Sequence, residues 1–191
     1  MTAFIQSVLQ QDQAAWYHIN VLWQNPFLDA LMPILRNPFT WAPLYVFFAS
    51  YVPYRFGKKG FWWCLGFIIS FGIADYTSAS IIKPLVMRIR PCNDAALQEF
   101  IHRLVDCGSG YSFPSSHASN HFALAVFIII TLRKHYSWVW WPALLWAASI
   151  AYAQVYVGVH YPLDVLCGAV LGTLVGWLVG TIFQKKIGLT L

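Results

Sequence analysis

Five apolar stretches dominate this chain, at about 28–54, 61–82, 116–132, 137–157 and 163–183. A bilayer span needs roughly 20 mostly apolar residues, and these stretches have or approach that length. Soluble domains carry about 25% charged residues. Here only 10% are charged, 59% are hydrophobic, and the mean hydropathy is +0.56. The expected fold class is therefore all-α: a polytopic membrane helix bundle of five to six transmembrane helices, with residues 1–191 forming a single domain. Residues 1–24 differ from the spans. They mix Phe4, Val8, Leu9, Trp16, Ile19, Leu22 and Trp23 with Gln11, Asp12, Gln13 and His18. That pattern fits an N-terminal amphipathic helix lying in the interface, with a short sixth span as the alternative. The start has no basic segment ahead of an apolar core, so no cleavable signal peptide is expected. No internal repeat stands out.

The basic residues orient the bundle. Arg55, Lys58 and Lys59 fall between the first two spans, Arg133 and Lys134 between the third and fourth, and Lys185 and Lys186 after the fifth. All three clusters then share one face, which the positive-inside rule makes cytoplasmic. The opposite face receives the loop 83–115 and the turn 158–163. The net charge of +5 is scattered, without the basic stripe that nucleic-acid binding needs. Cys92 and Cys107 lie in the outer loop, where an oxidising compartment permits a disulfide; two free thiols are the alternative. Cys64 and Cys167 lie inside spans, as small hydrophobes.

Three polar stretches gather on the outer face. "KPLVMRIRPC", 83–92, holds Lys83, Arg88 and Arg90. Pro84 is expected to break or turn the chain at Lys83, and about two helical turns separate Lys83 from Arg90. Cations at a membrane edge also snorkel to headgroups, the plainer reading for any one of them. "YSFPSSHASNHF", 111–122, places Pro114 and Ser115 ahead of a span, with Ser115 as helix N-cap. The Ser115, Ser116 and His117 amides would then point outward, an arrangement that favours an anion. Capping alone also explains the serines. His117, however, exchanges a proton near neutral pH. "AQVYVGVHYPLDV", 153–165, places His160 before a span opened by Pro162, with Asp164 four residues on. Asp164 either favours the helix N-terminus or holds one nitrogen of His160 and leaves the other free to attack. An acidic residue at a span is costly enough to read as functional. Together the three stretches supply an anion cradle, two histidines and an orienting carboxylate, which suits phosphoryl transfer.

The order K-x6-RP, then PSxH, then H-x3-D, each at a span boundary, resembles the type-2 phosphatidic acid phosphatase family, which shares its site with vanadium-dependent haloperoxidases. Lys83, Arg90 and Pro91 match the first motif, Pro114, Ser115 and His117 the second, and His160 and Asp164 the end of the third. Ser116 stands where the family commonly has glycine. The resemblance implies that His160 attacks phosphorus, Asp164 holds its ring, and His117 protonates the leaving oxygen and then activates water. Lys83, Arg90 and the Ser115 and Ser116 amides would hold the phosphate. It implies neither cofactor nor metal. The family's third motif usually begins with Ser-Arg; here Ala153 and Gln154 occupy those places. Gln154 donates a hydrogen bond but carries no charge, and Arg88 is expected to compensate by folding inward.

His117 and His121 have a metal-ligand spacing, and with His160 and Asp164 a zinc site is conceivable. Three nearby cations oppose it, so His121 is read as a supporting or packing residue. Asp75 is expected to pair with a site cation or to cap a polar network. His18, His102 and His135 show no usable pattern, and Glu99 and Asp106 are read as solvated loop charges. A site at the outer membrane edge suits a phosphate on a lipid anchor. The candidates are an isoprenyl diphosphate such as undecaprenyl diphosphate (the favoured one), phosphatidylglycerol phosphate, phosphatidic acid and the lipid A 1-phosphate. The expected location is a bacterial cytoplasmic (inner) membrane, with the site facing the periplasm or exterior. Rival readings are a lipid phosphotransferase and a lipid-phosphate binder or transporter without chemistry. The sequence sets no oligomeric state.

Overall fold

The computed structural model describes residues 3–189. The first two residues of the interfacial segment and the last two of the chain lie outside the described residues. All regular structure among them is helical: α1 Ala3–Tyr17, α2 Pro26–Arg36, α3 Ala42–Phe56, α4 Lys58–Val86, α5 Ser116–Leu132, α6 Trp140–Tyr156 and α7 Pro162–Lys186. Two of these, α4 with 29 residues and α7 with 25, are long and apolar enough to cross a membrane; α5 is apolar but shorter.

Local chemistry sets the ends. Asn25 caps α2 through Leu28 N–H at 2.9 Å, and Pro26 opens the helix. Ser115 caps α5 and Pro162 opens α7, as their positions in the sequence require. The stretch 28–54, expected as one long span, is instead two helices. Asn37 is extended, and its side chain accepts from Phe39 N–H as a short 3₁₀ turn begins at Pro38. A proline there cannot donate back to α2. Thr40 Oγ1 and Trp41 Nε1 take the terminal carbonyls of Ile34 and Leu35, both at 2.7 Å.

Pro84 does not break the chain at Lys83, which keeps helical geometry. The helix widens into a π segment over Thr77–Ile82 and runs on to Val86; widened turns of this kind absorb a proline and recur at functional sites. The reversal comes at Met87, in left-handed geometry with φ of 51°.

The core is built where α5 meets α4, α6 and α7. Trp63, Phe127, Ile128, Ile150 and Phe183 are buried together, and Trp63 Nε1 donates to Thr131 Oγ1 at 2.7 Å. α5 and α7 run parallel and unusually close. A Cβ on Gly168 would meet Ser115 O, one on Gly172 would meet Ser119 O, and one on Gly176 would meet Ala123 O. Glycines at every fourth position thus form the face on which α5 lies. The outward faces are apolar: Phe61, Ile68 and Phe71 on α4, and Leu166, Val170, Leu174 and Trp177 on α7, are exposed. An apolar exterior of this extent marks a surface not made for water.

The ends of the helices separate two regions. The C-terminal end of α4, the start of α5, the end of α6 and the start of α7 come together and build the site. Lys58 lies at the other end of α4, roughly 40 Å away for a helix of that length. Over the site the loop is closed by a Cys92–Cys107 disulfide, so the pairing left open by the sequence is made.

Candidate active site

A polar cavity of about 450 Å³ lies at this end of the bundle. Lys83, Arg90, Ser116, His117, Gln154 and His160 all line it, together with Arg36. Each is placed by a different piece of local structure. His160 sits in the tight turn between α6 and α7, where the Val159 and His160 amides both donate to Gln154 O at 3.2 Å. Gly158 makes this turn possible: its φ is +82°, and a side chain there would press on Ile101 and Asn20. Asn20 in turn ties the turn to the outer loop, donating to Tyr156 O at 2.7 Å and bonding both His102 N–H and His102 O.

Asp164 is fully buried at the first turn of α7. Its Oδ2 accepts from Tyr161 N–H at 2.9 Å and lies 3.4 Å from His160 Nδ1. At that distance the charge orients the ring, although the geometry falls short of a well-formed hydrogen bond. With Nδ1 turned to the carboxylate, Nε2 is the nitrogen left for the cavity. Burial pushes the His160 imidazole down from 6.5 to about 4, against the opposing pull of Asp164.

Ser115 N–H does not point outward as expected. It donates to Asp164 O at 2.9 Å and so locks the start of α5 to the start of α7. The next amides, Ser116 and His117, have no preceding helical carbonyl to bond, and both residues line the cavity. His121 supports from behind: its Nδ1 bonds His117 O at 2.8 Å, its Nε2 meets Tyr45 Oη at 3.2 Å, and its ring packs on Trp146. Asp75 caps a polar network rather than pairing with a cation, accepting from Asn120 Nδ2 at 2.8 Å. Ser78 reaches Ser116 Oγ beside it.

Lys83 and Arg90 converge on the cavity, but not along one helix, since α4 ends between them. Lys83 Nζ donates to Tyr111 O and Arg90 Nε to Gly110 O. The loop 108–112 therefore wraps both cations while leaving them without a carboxylate among the described residues. Gln154 is wholly buried, and neither its Oε1 nor its Nε2 has a hydrogen-bond partner there.

A profile of the PAP2 superfamily matches residues 61–187. The chain belongs to this superfamily. It is 32% identical over 164 residues to the lipid A 4'-phosphatase of Bacteroides thetaiotaomicron, covering 84% of this chain and 72% of that one. The crystal structure of a transmembrane PAP2-type phosphatidylglycerolphosphate phosphatase from Bacillus subtilis superposes with a TM-score of 0.73 at 27% identity, over 97% of this chain and 89% of that one. Aquifex aeolicus LpxE gives a TM-score of 0.62 at 25% identity, over 89% and 93%. The resemblance carried by the three motifs is thus borne out, and the apolar helices belong to a membrane protein.

Against the PAP2 motifs, the fold brings Lys83, Arg90, Ser116, His117 and His160 to one cavity and leaves Gln154 in the arginine's place. The expectation for Arg88 is corrected. It does fold inward, but onto carboxylates: Nη1 to Asp164 Oδ1 at 2.8 Å and Nη2 to Asp12 Oδ2 at 2.6 Å, with its plane 4.0 Å above the Tyr161 ring. Two acids neutralise it before any phosphate arrives. Asp12 is the residue that sequence reasoning passed over. It is buried, and its Oδ1 also accepts from Leu163 N–H at 2.8 Å, so α1 is a wall of the site's support and not a free interfacial helix. Asp12→Ala is expected to lower stability by about 2 kcal/mol, since Arg88 keeps one of its two acids. Thermal unfolding in detergent tests this; an unchanged midpoint rejects it.

Proposed function

We propose that this PAP2 protein is a lipid phosphatase that passes phosphate through a phosphohistidine. The observation that carries the reading is the join between two cavities. The polar one shares Ser116 and His117 with an apolar groove of about 580 Å³, lined by Tyr45, Phe48, Trp63, Phe67, Phe71 and Leu124. A phosphate in the first and a hydrocarbon chain in the second describe one amphiphilic substrate.

In this mechanism the Nε2 lone pair of His160 attacks phosphorus. The bond from phosphorus to the leaving oxygen (the bridging oxygen of a diphosphate, the ester oxygen of a monophosphate) breaks, and that oxygen takes a proton from His117. Water then attacks the phosphohistidine while His117 accepts its proton. The P–N bond breaks, its electron pair returns to Nε2, and inorganic phosphate leaves. Asp164 stabilises the imidazolium character that develops, and the cations and α5 amides hold the equatorial oxygens.

The favoured substrate is undecaprenyl diphosphate: the apolar groove beside the site suits a prenyl chain, and a cradle of cations without ion-pair partners among the described residues suits the charge of a diphosphate. The second reading is a lipid A phosphate, supported by the curated relative from Bacteroides thetaiotaomicron. The whole chain acts as one unit that crosses a bacterial inner membrane five or six times. Its basic clusters lie in the cytoplasm and its site faces the exterior.

The test is phosphate release by detergent-purified protein with EDTA present, from undecaprenyl diphosphate, phosphatidylglycerol phosphate, phosphatidic acid and lipid A. Release from one of them, lost in His160→Ala, is the expected result. Its absence with every lipid rejects the phosphatase reading. A pH profile adds a second check. His160 is competent only as the free imidazole, so protonation is what lowers the rate. Because burial holds its pKa down at about 4, the acid limb that its protonation imposes on kcat/KM lies near 4. An acid limb centred at 6.5 contradicts the assignment.

A further inference from the structure

We propose that Arg36 is a direct ligand of the substrate phosphate, supplying from α2 the positive charge that Gln154 lacks. The inference rests on the lipid-phosphatase reading and concerns how that site is completed. Arg36 lines the same cavity as Lys83, Arg90, His117, Gln154 and His160. No carboxylate lies within ion-pair reach of it among the described residues, whereas Arg88 has two. Asp106 also lines the cavity, but its side chain is fully exposed and 3.8 Å from Arg103.

The Arg36 Nε–H is buried without an acceptor. A buried N–H left unmet on a half-buried arginine is costly, and a phosphate oxygen satisfies it with a charge-assisted bond. Gln154, wholly buried and with neither amide atom partnered, lines the same cavity. An arginine that only reaches for headgroups has no use for a buried, unpartnered Nε–H beside the cavity.

The fold explains how a residue so far from the motifs arrives there. α2 packs through Met32, beside Leu28, Leu31 and Leu35, into a cluster with Ala153, Tyr156, Val157 and Val159. These residues flank Gln154 and lead into the His160 turn. Arg36 is the last residue of α2, and the capped break at Asn37 stops the helix with this side chain at the level of the site. The cation has moved from α6 to the neighbouring helix while keeping its target.

The experiment compares wild type, Arg36→Gln, Gln154→Arg and the double variant in phosphate release and in inhibition by inorganic phosphate. Arg36→Gln is expected to lose about 100-fold in turnover and about tenfold in inhibition by phosphate, with its thermal midpoint unchanged. The double variant regains at least about tenfold in turnover, because the charge returns to the same pocket by another route. Arg36→Gln within threefold of wild type in both measures overturns the proposal, as does lost turnover with unaltered phosphate inhibition. Should Arg36→Gln fail to accumulate, Arg36→Met carries the test: phosphate inhibition weakened about tenfold in the folded protein supports the proposal, and inhibition within threefold of wild type overturns it. Wild type without activity is a different outcome, and rejects the phosphatase reading itself.

Discussion

His160→Ala is expected to lower phosphate release by at least about ten-thousand-fold while the protein remains folded. Among the described residues that line the polar cavity, this ring alone has both a neutral form sustained by burial and a carboxylate behind it. In the proposed mechanism its removal takes away the nucleophile and not a binding contact, so kcat is expected to fall far more than KM changes. The turn should survive, because its geometry comes from the backbone bonds to Gln154 O and from Gly158. Turnover in detergent, with circular dichroism and gel filtration as fold controls, measures this. Substantial residual turnover in the folded variant would sink the nucleophile assignment. His117→Ala is expected to show a comparable loss with lipid phosphomonoesters, whose alkoxide leaving group needs a proton, and a smaller one with a lipid diphosphate, whose leaving group is a phosphate.

Gly172→Val is expected to destabilise the bundle by about 4 kcal/mol, among the largest effects open to a single substitution here. A Cβ at this position meets Ser119 O, Ala123 N and Phe122 Cβ at once. Two of these are backbone atoms, which cannot swing aside as a side chain can. The helices must separate, and the damage reaches the site, because Ser115 N–H is bonded to Asp164 O at the end of the same seam. Thermal unfolding and phosphate release should therefore fall together. A folded variant with a wild-type midpoint would mean that α5 and α7 are not packed on this face.

Much of the site is legible in the sequence because its parts lie where apolar periodicity stops. Lys83, His117 and His160 stand at helix ends, and helix ends are announced by proline, serine and aspartate. The glycines at 168, 172, 176 and 180 are readable on the same terms, as small residues at a spacing that brings two helices together. Asp12 and Arg36 are harder. Each is a lone charge in a segment with another obvious use, and its role depends on what surrounds it in three dimensions: a partner for Asp12, the polar cavity for Arg36. For Asp12 that partner is Arg88, 76 positions away. For Arg36 the local sign is only that a charge inside an apolar run is costly, which marks it for function without giving it a role. The break at Asn37 and the continuity through Pro84 show why prolines alone misplace boundaries. A proline ends a helix only when the preceding turn cannot widen to accept it.

The shared wall of Ser116 and His117 between the polar cavity and the apolar groove has a kinetic consequence. A substrate that enters along helix faces is met by two-dimensional diffusion, so the relevant concentration is its mole fraction in the film around the protein. Diluting a fixed amount of lipid phosphate with inert detergent should slow turnover, although nothing in the bulk volume has changed. A short-chain soluble analogue should be indifferent to the same dilution. A lipid substrate as indifferent to dilution as the soluble one would mean that substrates arrive from the water.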